Sequence, residues 1–147
     1  MELALSEARM ALAEGEVPVG AVVLAGERIV SKAHNSREAR ADPLAHAEML
    51  AIGEAARQLG RWRLDDATLV ATLEPCPMCM GAMLQARIPL LVYGASDPKA
   101  GAAGTLYDLA DDPRLNHRIQ VVRGVREAEA ARLLKAFFEA RRKSGPA

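Results

Sequence analysis

Cysteine and aromatic residues are scarce in this chain of 147 residues, which has two cysteines and 3% aromatics. Two cysteines cannot form a network of disulfide bonds, and a core with so few rings must rest on Ala, Leu, Val, Ile and Met. A chain of this length buries enough surface to fold as one unit without disulfides. We therefore expect a single domain over residues 1–147.

An excess of one charge is also missing, because 19 basic residues balance 19 acidic ones. A protein that coats nucleic acid without specificity is normally basic, so the balance argues against that class but leaves room for a local basic rim. Near the N-terminus the longest purely apolar run is AVVLA at residues 21–25, which is far too short to cross a bilayer. The N-terminal segment is charged throughout, unlike a secretory signal. We expect a cytoplasmic protein with no membrane partner.

Helix-type and strand-type patterns alternate along the chain. Asp42 is the expected N-cap, and Pro43 the first residue, of the second helix. The first two strands meet at a tight turn through Gly26 and must run antiparallel. The pattern favours an α/β fold with a mixed sheet that helices cover on both faces. The predicted helices are residues 2–14, 43–59, 76–86 and 126–142, and the predicted strands are 17–26, 27–35, 67–73, 89–95 and 118–124.

Both cysteines lie in the segment EPCPMC, three residues apart, at the start of a predicted helix. Residues i and i+3 share one face of a helix, and a helix N-terminus favours the thiolate form of cysteine. In a reducing cytoplasm such a pair is more typical of a metal or redox site than of a structural disulfide. Cys76 and Cys79 are therefore candidate ligands of one cation.

Three histidines, His34, His46 and His117, are candidates for a further ligand. His46 stands out because it lies near the start of a predicted helix and is followed by Ala47 and Glu48. In a regular helix residues i and i+2 point about 200° apart. His46 and Glu48 can therefore serve one site only if His46 sits at the helix entry or the two reach the site from different sides. With His46, Cys76 and Cys79 as ligands, one coordination position stays open, which is the pattern of catalytic zinc.

Other interpretations stay open on these residues alone. A Cys-x-x-Cys pair also fits a thioredoxin-like redox site, and a closed structural zinc site with two cysteines and two histidines could use His34 or His117. A lone carboxylate such as Glu48 is usually a solvated helix residue. The combination of His-x-Glu, about thirty further residues and Pro-Cys-x-x-Cys is much more specific than any of its parts.

The segments HAE and PCPMC resemble the signature of the zinc-dependent nucleobase and nucleoside deaminases. Over nearly the whole chain, a further set of segments is similar in order and spacing to the bacterial tRNA-specific adenosine deaminase family: EVPVGAVV, DPLAHAE, LEPCPMCMGAM, GAAGTLYDL, NHRIQV and FFEARR. The resemblance implies a cytidine-deaminase-like fold, which is a three-layer α/β/α sandwich with a five-stranded mixed sheet.

The resemblance also implies the chemistry. It implies one zinc ion per chain, held by His46, Cys76 and Cys79, which activates a water molecule. Glu48 is the implied proton shuttle in the conversion of adenosine to inosine. The implied substrate is the wobble position of a tRNA anticodon stem-loop, and an arginine tRNA is the expected one.

Five further residues are implied as substrate contacts. Asn35 is expected to hydrogen bond to the flipped nucleoside, and Asp97 and Lys99 are expected to meet the neighbouring nucleotide backbone. Arg141 and Arg142 are expected to contact phosphates, although cations in the last turn of a helix also complement its dipole. The resemblance further implies a homodimer that packs through the helix carrying the cysteines.

Two competing functions remain at this stage. The first is a deaminase of a free base or nucleoside, such as guanine or cytosine, which would share the zinc motif. The second is a non-catalytic zinc-binding module. Glu48 argues against the second, because a structural metal site has no use for that carboxylate.

Overall fold

The computed structural model describes residues 1–145, which form five helices and five strands. The helices are α1 (Glu2–Ala13), α2 (Arg37–Arg40), α3 (Ala47–Leu59), α4 (Pro77–Ala86) and α5 (Glu127–Ser144). The strands are β1 (Gly20–Ala25), β2 (Arg28–His34), β3 (Ala67–Leu73), β4 (Leu90–Ala95) and β5 (Gln120–Val122).

The five strands form one mixed sheet with the order β2-β1-β3-β4-β5. Strand β1 pairs antiparallel with β2 and β3, whereas β3, β4 and β5 run parallel to one another. The two parallel pairings require the chain to cross back to the end of the sheet where the previous strand began. It does so through α4 between β3 and β4, and through a long loop between β4 and β5. The sheet confirms the predicted five-stranded mixed topology.

Helices cover both faces of the sheet, so the fold is the expected three-layer sandwich. Helices α1 and α5 contact each other and lie on one face, and α3 and α4 contact each other on the opposite face. Successive side chains of a strand point to opposite faces, which gives each layer its own core. Val22 and Val70 pack with Ala4 of α1, whereas Val23 and Leu69 belong to the larger core on the α3 and α4 side.

The candidate site lies where parallel strands end. Strand β3 runs directly into Glu74, Pro75 and Cys76, and β4 runs into the loop 96–105 beside them. Because the carboxyl ends of parallel strands meet at one edge of a sheet, ligands typically bind there. The topology therefore brings the cysteine-bearing turn next to the glycine-rich loop.

Helix α3 begins at Ala47, so its predicted start at Pro43 is wrong. Asp42 caps a turn and not the helix, since its Oδ1 atom accepts a hydrogen bond from the backbone N–H of Leu44 at 2.9 Å. His46 takes an extended conformation, with φ −72° and ψ 148°, and is the N-cap residue of α3. The chain therefore passes through a turn and an extended residue before the helix begins.

Two other segments differ from the sequence prediction. The predicted loop before His46 contains the short helix α2, because the buried carboxylate of Glu16 accepts hydrogen bonds from the N–H groups of Glu38 and Ala39 in its first turn. Strand β5 covers three residues and not the predicted 118–124, since only Gln120–Val122 pair with β4. Both differences come from partners distant in the sequence.

Within residues 1–145, no helix combines the length and the hydropathy that crossing a membrane requires.

Candidate active site

The side chains of His46, Cys76 and Cys79 meet at one point. The Nδ1 atom of His46 lies 3.6 Å from Sγ of Cys76 and 3.5 Å from Sγ of Cys79, and the two sulfurs are 3.7 Å apart. These three residues form a group that could hold a metal ion. The three atoms form a nearly equilateral triangle.

The size of this triangle matches the face of a tetrahedral zinc site. With Zn–S bonds of about 2.3 Å and Zn–N bonds of about 2.0–2.1 Å, tetrahedral geometry places two sulfurs about 3.8 Å apart and a sulfur and a nitrogen about 3.6 Å apart. The observed edges of 3.5, 3.6 and 3.7 Å agree with those values. The donor set of one imidazole and two thiols is also one that zinc prefers. The residues present therefore fit a zinc ion with three protein ligands.

Helix N-termini position two of the three candidate ligands. His46 is the N-cap of α3, and Cys76 is the N-cap of α4, with φ −76° and ψ 173°. Cys79 follows in the first turn of α4, so its sulfur returns to the same side as that of Cys76. Pro77 suits the first helical position because its fixed φ favours the helix and it lacks an N–H group there. The positive ends of both helix dipoles therefore point towards the thiols and favour thiolate.

Glu48 lies against the ligand group. It is in the first turn of α3 and only 4% exposed, and the Cys79 thiol donates a hydrogen bond to its Oε2 atom at 2.9 Å. His46 precedes the regular helix, so the separation of 200° that a helix imposes on residues i and i+2 does not apply to this pair. The helix-entry condition under which His46 and Glu48 can serve one site is therefore met.

The titration behaviour of the group reflects burial and mutual hydrogen bonds. The hydrogen bond between the two sulfurs lowers the pKa of Cys76 to about 4, and the same bond, together with burial, raises the pKa of Cys79. A hydrogen bond with Cys76 raises the pKa of His46, and burial raises the pKa of Glu48. In the absence of a metal, these shifts leave Cys76 as a thiolate and Cys79 as a thiol. A bound cation favours the thiolate form of both.

A cavity of about 150 Å³ opens above the ligand group. Its wall is mainly apolar, with a few polar groups near the bottom, as is usual for a small-molecule site. The lining residues are Val17, Val19, Asn35, Arg37, His46, Ala47, Glu48, Leu73, Glu74, Cys76, Asp97 and Ala100.

Asn35 lines this cavity and is also bound to the chain around it. Its amide nitrogen donates to the carbonyl of Val17 at 3.2 Å, and its Oδ1 accepts from the N–H of Arg37 at 3.3 Å. A primary amide has two donors and an oxygen with two lone pairs. One donor and one acceptor position therefore remain after these two bonds.

Asp97 lines the cavity, whereas Lys99 is exposed outside it. The Oδ1 atom of Asp97 accepts hydrogen bonds from the N–H groups of Lys99 and Ala100, which closes a tight turn. The turn fixes the orientation of Asp97 beside the cavity.

Arg141 and Arg142 are exposed near the end of α5. The guanidinium of Arg141 lies over the ring of Phe137, 5.4 Å from its centre, in the geometry of a cation–π contact. Arg141 also borders a second cavity of about 190 Å³ that shares Asn35 and Arg37 with the first. Neither arginine lines the first cavity. If they contact a substrate, they therefore contact a part of it that lies outside this cavity.

His34 and His117 lie away from the ligand group. The two ring nitrogens of His34 are 2.7 Å and 3.0 Å from the carboxylates of Glu7 and Glu14. His117 uses Nε2 to hydrogen bond to the carbonyl oxygen of Ile88. The structure does not bring either histidine to the cysteines, as a closed site with two histidines would require.

Two buried carboxylates near the cavity were missed by the sequence prediction. Glu74 is 2% exposed and follows β3, and Glu16 is 2% exposed and follows α1. Glu74 accepts backbone N–H groups from the loop that contributes Asp97 and Ala100 to the cavity. Glu16 accepts backbone N–H groups from α2, which contributes Arg37. One feature of the sequence could have indicated them, namely a single acidic residue directly after an apolar run, as in ATLEPC. A carboxylate at the end of a buried strand needs hydrogen-bond donors nearby.

Comparisons with known proteins agree with this site. The family model described as MafB19-like deaminase matches residues 1–142. The tRNA-specific adenosine deaminase of Bacillus subtilis is 50% identical over 143 residues, which cover 97% of this chain and 89% of the relative.

Two solved structures extend the comparison. One, from studies of A-to-I editing by tRNA:A34 deaminases, has a TM-score of 0.88 at 43% identity and covers 91% of this chain and 97% of that one. A guanine deaminase from Bacillus subtilis has a TM-score of 0.63 at 32% identity and covers 94% and 90%. Both structures support the deaminase fold.

Together, the fold, the ligand group and these similarities define a hydrolytic deaminase. The chain belongs to the tRNA-specific adenosine deaminase family.

Proposed function

We propose that this enzyme deaminates adenosine to inosine at the wobble position of a tRNA anticodon, with an arginine tRNA as substrate. The observation that carries the proposal is the triangle of His46, Cys76 and Cys79, with the buried carboxylate of Glu48 against it and a cavity beside it. The similarity to the structure from studies of tRNA:A34 deaminases supports the choice of substrate.

One zinc ion per chain is proposed, with His46, Cys76 and Cys79 as its ligands. When bound, zinc supplies a Lewis acid that makes a water molecule nucleophilic near neutral pH. The two thiols serve as thiolates, which the N-termini of α3 and α4 stabilise. His46 offers Nδ1 to the site.

Glu48 is proposed to move the protons of the reaction. It takes one proton from the attacking water and delivers it to the neighbouring ring nitrogen of the base; it then transfers a proton to the amino group, which leaves as ammonia. The net change adds one water and releases one ammonia. Burial suits Glu48 to this role, because a raised carboxyl pKa brings it nearer to the pH at which the group must both accept and donate.

The remaining proposed roles concern the substrate. The apolar side chains of Val17, Val19 and Leu73 form the wall against which a flipped base can pack. Asn35 offers its free amide positions to the nucleoside, and Asp97 and Lys99 meet the adjacent backbone. An anticodon loop suits this cavity because its bases are already accessible, which reduces the free energy of unstacking.

We also propose a single domain over residues 1–147, of which the last two lie outside the described residues, and a homodimer through α4. Met80 and Met83 of this helix are fully buried in the core of the chain itself, so they do not form an exposed apolar face. The outer face of α4 is formed by half-buried Met78, Gly81 and Ala82. Sedimentation that shows only monomer at micromolar protein would exclude the dimer.

The substrate proposal is tested with the anticodon stem-loop of an arginine tRNA that carries adenosine at the first anticodon position. The purified protein should contain about one zinc per chain by native mass spectrometry, and sequencing should show inosine at that position. A stem-loop with guanosine there is the matched control and should stay unchanged. Cys79→Ala should lose most of the zinc and the activity.

A deaminase of free guanine or cytosine is the second candidate function. The structural similarity to a guanine deaminase favours it, as does a cavity that any flat base could enter. Deamination of free guanine with no change in the stem-loop would select this candidate. Full activity of protein without metal would contradict both candidates.

A further inference from the structure

We propose that Glu74 is a positioning residue that holds one wall of the substrate cavity in place. The wall is the loop 97–105, which contributes Asp97 and Ala100 to the cavity. This inference rests on the proposed function for its kinetic consequences, but its structural part concerns the loop alone.

The carboxyl group of Glu74 collects hydrogen bonds from three residues of this loop. Its Oε1 accepts the N–H of Asp97 at 3.1 Å and the hydroxyl of Thr105 at 2.5 Å. Its Oε2 accepts the N–H of Ala103 at 3.0 Å and that of Thr105 at 3.2 Å. All four partners are donors, so a carboxylate satisfies the arrangement, whereas an amide would point one N–H₂ group at other donors.

The loop packs around the carboxyl group without space to spare. A Cβ atom added to Gly101 would lie 2.5 Å from Cδ and Oε1 of Glu74 and from the carbonyl oxygen of Asp97. A buried carboxylate without its hydrogen bonds carries a large desolvation penalty, so the loop conformation and the position of Glu74 stabilise each other. Glu74 is only 2% exposed, and its charge is therefore satisfied by the loop and not by bulk water.

The same segment of chain also fixes the metal ligands. Glu74 is separated from Cys76 only by Pro75, and the carbonyl oxygen of Pro75 accepts the N–H of Ala102 at 2.9 Å. Pro75 and Cys76 therefore join the loop 97–105 to a sulfur of the ligand triangle. The bond between Ala102 and Pro75 joins backbone atoms and does not involve the Glu74 side chain. A change at Glu74 should therefore loosen the wall of the cavity, and weaken substrate binding, more than it displaces the ligand triangle.

The first test is Glu74→Gln, which keeps the size of the side chain and removes the charge. We expect at least 10-fold faster hydrogen exchange at the amides of Asp97, Ala103 and Thr105, with zinc content unchanged. With the stem-loop substrate, KM should rise about 10-fold or more, while kcat changes less than KM. The matched control is Glu7→Gln, which alters another buried carboxylate outside the cavity and should leave these amides and KM unchanged.

A second pair of variants covers the case in which Glu74→Gln does not fold or loses zinc. Thr105→Val removes the hydroxyl that donates to Glu74, and Thr105→Ser retains it. Faster exchange at Asp97 and a higher KM in Thr105→Val, with near-native behaviour in Thr105→Ser, would support the proposal. Equal exchange and equal KM in wild type, Thr105→Val and any folded Glu74→Gln would overturn it. Absence of stem-loop deamination by the wild type would refute the substrate proposal instead, and the exchange measurement would still test Glu74.

Discussion

At the scale of single residues, the relation between His46 and Glu48 depends on where α3 begins. A helix starting at Pro43 would point the two side chains in nearly opposite directions, whereas the observed start at Ala47 leaves His46 in an extended conformation. Asp42 sets this start, because it closes a turn on Leu44 before the helix. The turn at Asp42, which lies outside the site, thus allows His46 and Glu48 to line one cavity.

Glu48→Gln provides the first prediction. The amide keeps the shape of the buried side chain but cannot carry protons between water, base and leaving group. We expect turnover to fall by roughly 10²–10⁴-fold, the usual contribution of a positioned acid–base group, while zinc content is retained. Single-turnover kinetics and native mass spectrometry measure the two quantities.

Glu54→Gln is the control for this variant, because Glu54 lies on the same helix but its side chain is 41% exposed and pairs with Arg57. It should have wild-type turnover. If Glu48→Gln also turned over at the wild-type rate with zinc bound, the shuttle role of Glu48 would be wrong.

The sequence was informative about the residues of the ligand group and much less so about the residues that support them. Residue types and spacing indicated His46, Cys76, Cys79 and Glu48, because zinc chemistry restricts both strongly. Glu74 and Glu16 were not predicted. Their partners are mainly backbone N–H groups, of α2 for Glu16 and of the loop after β4 for Glu74, more than 20 residues away. Backbone donors leave no trace in side-chain identity.

At the scale of secondary structure elements, α1 packs unusually close to the sheet at Gly20. A Cβ atom there would lie 2.0 Å from the carbonyl oxygen of Ala4 and 2.7 Å from the backbone nitrogen of Ala8. Both neighbours are backbone atoms of a helix, so they cannot turn aside as a flexible side chain could. The absence of a side chain at position 20 therefore sets the distance between α1 and β1.

Gly20→Ala is expected to destabilise the fold by about 3 kcal/mol, at the upper end of the range for overpacked cores. The melting temperature should fall by roughly 10 °C, as measured by calorimetry. Gly53→Ala is the control, because a Cβ on this glycine of α3 meets only the far end of Arg57 at 3.8 Å. It should be neutral or slightly stabilising, since Ala favours a helix over Gly. Equal melting temperatures for Gly20→Ala and wild type would refute this account of the packing.

His34 links β2 to α1 and should make stability depend on pH. Burial alone would lower the pKa of His34, but the hydrogen bonds to Glu7 and Glu14 outweigh it and raise the pKa above its ordinary value of 6.5. The native state then holds a proton that the unfolded chain releases as the pH rises past 6.5. This stabilisation is therefore complete below pH 6.5 and is lost as the pH rises through the pKa of the folded state.

The measurement compares urea unfolding of wild type and His34→Gln between about pH 5.5 and 8.5. We expect the wild type to lead by most at the acidic end and by progressively less at higher pH. Glu14→Gln, which removes the more exposed partner, should shrink the difference without abolishing it. A difference in stability that is the same at every pH would contradict the linkage.

Strands, being set by apolar runs, were easier to predict than the short elements. The centres of β1 to β4 follow from β-branched and apolar residues, and their predicted positions agree with the structure. Helix α2 and the short β5 depend on Glu16 and on pairing with β4, so local pattern could not define them. The start of α3 was misplaced because Asp42 and Pro43 suit a helix and a turn equally well.

At the scale of the whole molecule, the formal net charge is zero, so net charge supplies no electrostatic attraction to RNA. Any steep salt dependence must then come from local contacts between cations and phosphates. Arg141 and Arg142 at the end of α5 are the proposed contacts, and Arg141 borders the second cavity next to Asn35. A small free base carries no phosphates and would show little such dependence.

We therefore expect KM for the anticodon stem-loop to rise strongly between about 50 and 200 mM salt, since binding releases counterions from the phosphates. The double variant Arg141→Ala with Arg142→Ala should flatten the slope of log KM against log salt concentration by about 1.4, or about 0.7 for each lost contact with a single strand.

The control is Arg57→Ala with Arg63→Ala, which removes the same charge from exposed positions elsewhere and should leave the slope unchanged. Zinc content should be equal in the wild type and both double variants. An unchanged slope in the first double variant would remove Arg141 and Arg142 from the RNA contacts. A KM independent of salt, together with deamination of free guanine, would instead select the free-base enzyme.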